Sequence, residues 1–323
     1  MSLINQQAWL LALSLTLPAT ASRANCNTTT SNYLTPNISN SVSATTVDFC
    51  GHTFSNQGLV GIGSLGSNLK DDFGDSLGSF SSMALDLSHW HRSGNSYTGG
   101  ILIGLPDRGY NNTSTNFYSD YAARLNRFSI RLQPDPGSGT ATANSLTLQY
   151  LNSLKLKDNR DQDFTGLDPA TGISTVMGVK VPLVSSVDKI AMDAEGLAVR
   201  QNGSFYVSDE YAANIYYFSP DHKLLGIIKP PAAITPETAN QINFNSINPP
   251  TTGGRRNNQG IEGATLTPDG KQFVVLLQSA TVQDSTNDQE TRQNTRLMVY
   301  DISQTATPEH PSAEYVMTLP KVS

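Results

Sequence analysis

Short apolar runs separated by turn residues recur along most of the chain. Leu59 to Gly63, Ser82 to Leu87, Ile101 to Leu105, Phe128 to Leu132 and Leu146 to Leu151 have the length and residue types of strands. No 3.6-residue periodicity outlasts two turns, and the short segment Asp120 to Arg127 is the best helical candidate. The clearest pattern opens at Ile190 to Glu195. Gly196 to Val199 predicts a strand, Gln201-Asn-Gly203 a hairpin turn, and Phe205 to Glu210 the returning strand. Asn-Gly between apolar strands predicts positive φ at both turn residues. Asn214 to Phe218 and Leu224 to Lys229, turning at Ser219-Pro-Asp221, add two more strands. The arrangement repeats as Glu262 to Leu266, a turn at Pro268-Asp-Gly270, Gln272 to Leu277, Arg296 to Ile302 and Ala313 to Leu319. A looser copy spans Phe80 to Leu132, where Leu105-Pro-Asp-Arg108 falls on Val207-Ser-Asp-Glu210. Repeated four-stranded units predict an all-β fold, a β-propeller with about five blades present. Such a ring is expected to be incomplete, either by about one blade or through a truncated gene model.

Composition sharpens this picture. Among 323 residues only 15% are charged, with 25 glycines and 17 prolines, which suits many turns better than helices with charged outer faces. The net charge of −6 excludes a phosphate-backbone partner, so no nucleic acid is expected. No apolar stretch reaches the ~20 residues of a membrane-spanning helix.

The N-terminus reads as an export signal. Trp9 to Leu17 is apolar, and Pro18 and Ala19-Thr20-Ala21 form a small-residue cleavage site before Ser22, although the preceding residues lack Lys and Arg. Acceptor patterns for N-glycans occur at Asn27, Asn37, Asn111, Asn112 and Asn202. The chain's 2 cysteines, Cys26 and Cys50, are expected to pair in an oxidising compartment, and they are too few for a structural zinc site. The expected layout is a signal peptide over 1–21, a polar Ser/Thr/Asn-rich arm over 22–46 and a propeller domain over 47–323, secreted as a monomer.

Three motifs carry a resemblance. Asp193-Ala-Glu-Gly196, Phe205-Tyr-Val-Ser-Asp-Glu-Tyr211 and Asn258-Gln-Gly-Ile-Glu-Gly263, followed by Pro268-Asp-Gly270, resemble the phytase-like family, named for the esterase-like activity of phytase. Leu105-Pro-Asp-Arg-Gly109 is similar to the family's first such segment, and the resemblance runs from about Gly58 to Leu319. It implies hydrolysis of phosphate or other esters of a small molecule. Asp193, Glu195 and Glu262 are then the expected metal ligands, and Asp209, Glu210 and Arg108 the expected catalytic group. Hard carboxylate oxygens suit Ca²⁺, which bridges phosphate oxygens and activates a bound water. Arg255 and Arg256 are further candidates for neutralising phosphate. Glu195 and Glu262 precede the first strand of successive units, so a radial repeat places both on one ring.

Rival motifs point elsewhere. Gly74-Asp-Ser-Leu-Gly78 matches a serine-esterase string that would make Ser76 the nucleophile, with Asp86-Leu-Ser-His89 supplying the other partners. Lys70-Asp-Asp-Phe73 precedes it in place of an apolar strand, so a loop is expected. Gly61-Ile-Gly-Ser-Leu-Gly66 lacks the surroundings of a dinucleotide site, and His89 and His91 lack a third metal ligand. The alternatives to a calcium-dependent hydrolase are therefore a secreted propeller that only binds a ligand or wall component and, more distantly, a Ser76 esterase.

Overall fold

The computed structural model describes residues 46–49, 51–55, 61–115, 117–134, 145–285 and 291–319. The chain divides into two compact units, Met1–Gly58 and Leu59–Ser323. In the first, Thr46–Phe49 and His52–Ser55 form an antiparallel hairpin. Cys26, Cys50, Asn27, Asn37 and the signal segment lie outside the described residues.

The second unit is built from antiparallel meanders, the blades of a propeller. The first blade comprises Phe80–Asp86, Ser96–Pro106, Arg124–Leu132 and Leu146–Lys155, with a short fifth strand, His91–Ser93, on its second strand. The second blade comprises Ala194–Val199, Phe205–Asp209, Ile215–Phe218 and Leu224–Ile228. Ile261–Leu266, Gln272–Leu277, Asn294–Asp301 and Ala313–Thr318 form the third. The first strand of the second blade packs between the first strands of the other two. Leu197 N donates to Ser82 Oγ at 3.0 Å on one side. On the other, Ser208 Oγ donates to Ile261 O at 2.8 Å.

Alternation within the central strands fills both seams. Phe205 and Val207 pack with Leu105, Leu125 and Phe164 toward the first blade. Tyr206 turns the other way and stacks on Phe273 of the third blade, ring centroids 4.5 Å apart. Successive strand residues face opposite sides, so a strand covered on both sides reads as an unbroken apolar run.

The structure departs from the sequence expectations in four places. Asp120 to Arg127 is not helical, because Arg124–Leu132 is a strand and residues 121–126 are buried all round rather than on one face. Gly61 to Gly63 runs as irregular backbone, held by Leu146 N donating to Ile62 O at 3.0 Å. At the Asn202-Gly203 turn only the glycine has positive φ. Gly203 N donates to Arg200 O at 2.9 Å and Arg200 N to Ser204 O at 2.8 Å, a longer turn with the glycine at its left-handed position. The Thr267 to Gln272 turn is one residue longer, closed by Thr267 N donating to Gln272 O at 3.0 Å, and again holds a positive-φ glycine, Gly270. Finally, Ile173–Val176, Val179–Val184 and Lys189–Ile190 form a three-stranded sheet that the apolar pattern does not mark. The described residues of the second unit thus give three blades of four main strands, this three-stranded sheet and two short two-stranded ladders, Asn111–Asn112 with Phe117–Tyr118 and Glu237–Thr238 with Gln241–Ile242, where the sequence suggests about five units.

At Gly196 two blades approach closely. A Cβ there would lie 2.5 Å from Ser208 Oγ and 2.7 Å from the Ala264 Cβ. Gly196→Ala is expected to cost about 2–3 kcal/mol by forcing the seam apart, read from a denaturant midpoint. A loss below about 0.5 kcal/mol would contradict that packing.

Candidate metal centre

The same irregularity opens each blade. Phe80 pairs with Pro106 and Ser82 with Leu105, leaving Ser81 as an extra residue. Ile261 pairs with Leu277 and Gly263 with Leu276, leaving Glu262 extra. Between the pairs Ala194–Asp209 and Leu197–Val207, Glu195 and Gly196 oppose Ser208 alone. These are β-bulges, which re-aim side chains at strand ends. The bulge amide of Gly196 donates to Ser208 Oγ at 2.7 Å, so the distorted backbone keeps its hydrogen bonds.

Glu195 and Glu262 are thereby brought to Glu210, just past the second strand of the second blade, with carboxylate oxygens of all three within 4.8 Å of one another. Glu195 also joins Asp107 and Asp193 in a second group of the same span. Five carboxylates from three blades therefore share one mouth. Burial, followed by the negative charges of Glu262 and Glu210, pushes the Glu195 carboxyl up to about 9. Burial and Glu210 raise Glu262 to about 8. Asp193 is raised far above the ordinary carboxylate range by burial, with the opposing pull of Arg108 insufficient to offset it. A cation among crowded, half-dry carboxylates of this kind stabilises their charged form.

The donor set fits a hard divalent cation. All five side chains offer oxygen, and no His or Cys joins them among the described residues. Asp193 Oδ1 is buried without a hydrogen-bond partner in the described structure, so it is available to a ligand. Its other oxygen is held by Arg108 Nη1, which also donates to Asn258 Oδ1 at 2.8 Å. The Arg108 guanidinium lies over the rings of Tyr118 and Tyr211, centroids 5.3 and 5.5 Å away.

Residues 91–323 match the profile of the family described as phytase-like, esterase-like activity of phytase. The chain belongs to the phytase-like family. An "Uncharacterized secreted protein" of Arthroderma benhamiae is 33% identical over 299 residues, 84% of this chain and 57% of the relative. This phytase-like chain thus spans little more than half the length of that curated relative. Among solved structures, the Dos1 propeller overlaps 71% of the chain and 54% of its own at 11% identity and a TM-score of 0.23. A DUF4623 family protein from Bacteroides eggerthii overlaps 76% of the chain and 50% of its own at 10% identity and a TM-score of 0.19. Likeness that shallow leaves the fold to be read from the phytase-like chain's own sheets.

The remaining expected residues of the phytase-like site separate. Asp209 is fully buried and faces backbone: its carboxylate accepts from the amides of Asp193, Ala212 and Tyr211 at 3.0, 2.9 and 3.2 Å. It braces the turn that presents Glu210. Arg255, 0% exposed, donates to the carbonyls of Tyr211, Phe244 and Arg256, and Glu210 is foremost among the carboxylates whose charge acts on it. Arg256 donates to Ser285 Oγ at 2.6 Å. Asp107 is the residue that the sequence analysis passed over. Ser76 sits on an exposed loop bridged to Lys70, with no strand-to-helix elbow. Asp86 Oδ1 accepts from Ser88 N at 2.9 Å, a local turn. His89 and His91 are exposed and belong to no group of metal-ligating side chains among the described residues. Asn202 is exposed on its hairpin, whereas Asn111 and Asn112 are half-buried. No helix of the described residues is long and apolar enough to cross a membrane.

Proposed function

We propose that this phytase-like protein is a secreted, calcium-dependent hydrolase of phosphate esters. The observation that carries the reading is the convergence of five carboxylates from three blades on one mouth, two of them on repeated bulges. Asp107, Asp193, Glu195, Glu210 and Glu262 hold the cation. Bound there, Ca²⁺ supplies charge neutralisation for phosphoryl oxygens and lowers the pKa of a coordinated water. Arg108 is a positioning residue: it fixes Asp193 in the orientation that leaves Oδ1 open. Asp209 fixes the backbone turn under Glu210. Glu262, raised to about 8 in the metal-free protein, is mostly protonated at neutral pH, and a bound cation favours the ionised form that ligates it. Export is part of the same reading, with cleavage before Ser22, a Cys26–Cys50 disulfide and a glycan on exposed Asn202. N-terminal sequencing and peptide mapping of secreted protein test it.

The decisive experiment is hydrolysis of phosphate monoesters before and after chelation. Activity is expected to vanish with a calcium chelator, return with Ca²⁺ and survive a serine-reactive organophosphonate. Turnover that persists in metal-free protein would sink the calcium reading. Calcium binding with no turnover of any ester would leave a ligand-binding propeller.

A further inference from the structure

A pocket of about 400 Å³ opens beside the carboxylate mouth and shares Asp107 with it. Ser79, Tyr110, Ser119 and Tyr121 also line it. Tyr110 is 69% exposed and leans on Phe117, itself 50% exposed, with ring centroids 5.8 Å apart. Of the pair only Tyr110 lines the cleft, with Phe117 tilted 52° behind it, and its exposed ring offers a stacking face to a ring-shaped group. Among the other lining residues, the Tyr121 hydroxyl and Ser119 Oγ are buried without hydrogen-bond partners among the described residues, and Tyr121 is 8% exposed overall. Buried polar groups in native structures are nearly always satisfied, so a bound water or a ligand hydroxyl belongs there.

The charge of the pocket restricts what enters. No Lys or Arg side chain lines it. The cations nearby are already engaged: Arg124 pairs with Asp75 at 3.0 Å and Lys189 with Asp120 at 2.9 Å, while Arg108 is bound to Asp193. Hydroxyls and carboxylates facing an incoming group can exchange hydrogen bonds with its alcohols but repel additional phosphates.

We propose that this pocket is the leaving-group subsite and takes an uncharged, hydroxyl-bearing ring, so that a sugar monophosphate is preferred to a polyphosphorylated ring. The inference rests on the phosphate-ester reading above and narrows its substrate class. Glucose 6-phosphate and inositol hexakisphosphate, compared at free Ca²⁺ held constant, test it. The kcat/KM of the monoester is expected to exceed that of the hexakisphosphate at least about tenfold. Ser79→Lys, at an exposed position, is expected to narrow that gap about fivefold by lowering KM for the polyanion. Tyr110→Ala is expected to raise KM for glucose 6-phosphate several-fold with kcat nearly unchanged. Preference for the hexakisphosphate, or a ratio indifferent to both substitutions, overturns the proposal. If no ester is turned over, the hydrolase reading fails and the subsite is judged separately by saturation-transfer NMR with methyl glucoside. Binding that disappears in Tyr110→Ala sustains the subsite, and absence of binding to the unsubstituted protein overturns it.

Discussion

Glu195→Gln is expected to abolish calcium binding and ester hydrolysis together while making the metal-free protein more stable. The two effects share one cause. Glu195 belongs to both carboxylate groups, so its loss takes an oxygen from each and should weaken Ca²⁺ at least about a hundredfold, as removal of a charged ligand from a hard-cation site does. In the metal-free protein the same carboxyl is held neutral up to about 9, and that of Glu262 up to about 8, both well above 4.5. A folded-state value raised in this way gives stability that is complete below about 4.5 and lost as the pH rises through 8 and 9. The unfolding free energy of metal-free protein should therefore fall between pH 5 and pH 9, by on the order of 1–3 kcal/mol after allowance for partial exposure, and its melting temperature should fall with it. Saturating Ca²⁺ should flatten that slope because the cation favours the ionised form. Glutamine cannot ionise, so Glu195→Gln should reduce the slope without metal, leaving the part that half-buried Glu262 contributes. A metal-free stability that rises with pH, or an unchanged slope in the variant, would refute this account.

Arg255→Met is expected to destabilise the fold by about 3–5 kcal/mol, the range for removing one partner from a buried charged network. The guanidinium reaches three backbone carbonyls from a fully buried position, and burial lowers its pKa to about 10. Methionine fills much of the volume but leaves those carbonyls unpaired. Arg255→Lys should recover only part of the loss, because one ammonium cannot reproduce a planar fork of donors. Arg256→Ala, which gives up one hydrogen bond to Ser285, should cost less than about 1 kcal/mol. Denaturant midpoints rank the three. An Arg255→Met protein that is as stable as the parent but binds phosphate poorly would restore the phosphate-clamp role that the sequence suggested.

The sequence offers Arg255 as a phosphate-facing candidate, and the reason its burial is not legible there lies in what a sequence displays. Two adjacent arginines in a Gly-rich stretch look alike, yet one is swallowed by the turn after Glu210 and the other is not, and no local pattern separates them. The blades themselves were legible, because Phe205-Tyr-Val207 and Phe273-Val-Val275 are apolar on both faces and are punctuated by Gly203 and Gly270. Asp107 was missed through a slip of one residue. Aligning the strings places Arg108 opposite Glu210, but Pro106 pairs with Phe80 as Asp209 pairs with Ala194, so Asp107 is the counterpart of Glu210. A one-residue shift reverses which face every side chain takes, and only the ladder reveals it. The sheet over 173–190 escaped notice for a different reason. Its Met177-Gly178 turn, with φ of 49° and 81°, has the geometry of an Asn-Gly turn without the asparagine that announces it.

The repeated bulge has a consequence for how such a mouth changes over evolutionary time. Each blade offers one socket whose occupant is chosen by a single codon, glutamate in two blades and serine at Ser81 in the other. The socket's backbone is stitched by neighbouring amides and hydroxyls, so its side chain can be exchanged while the ladder beneath stays intact. Acidity at the mouth is therefore inherited blade by blade and is separable from the architecture that displays it. A single substitution in one socket changes the charge at the mouth while the strands beneath keep their pairing.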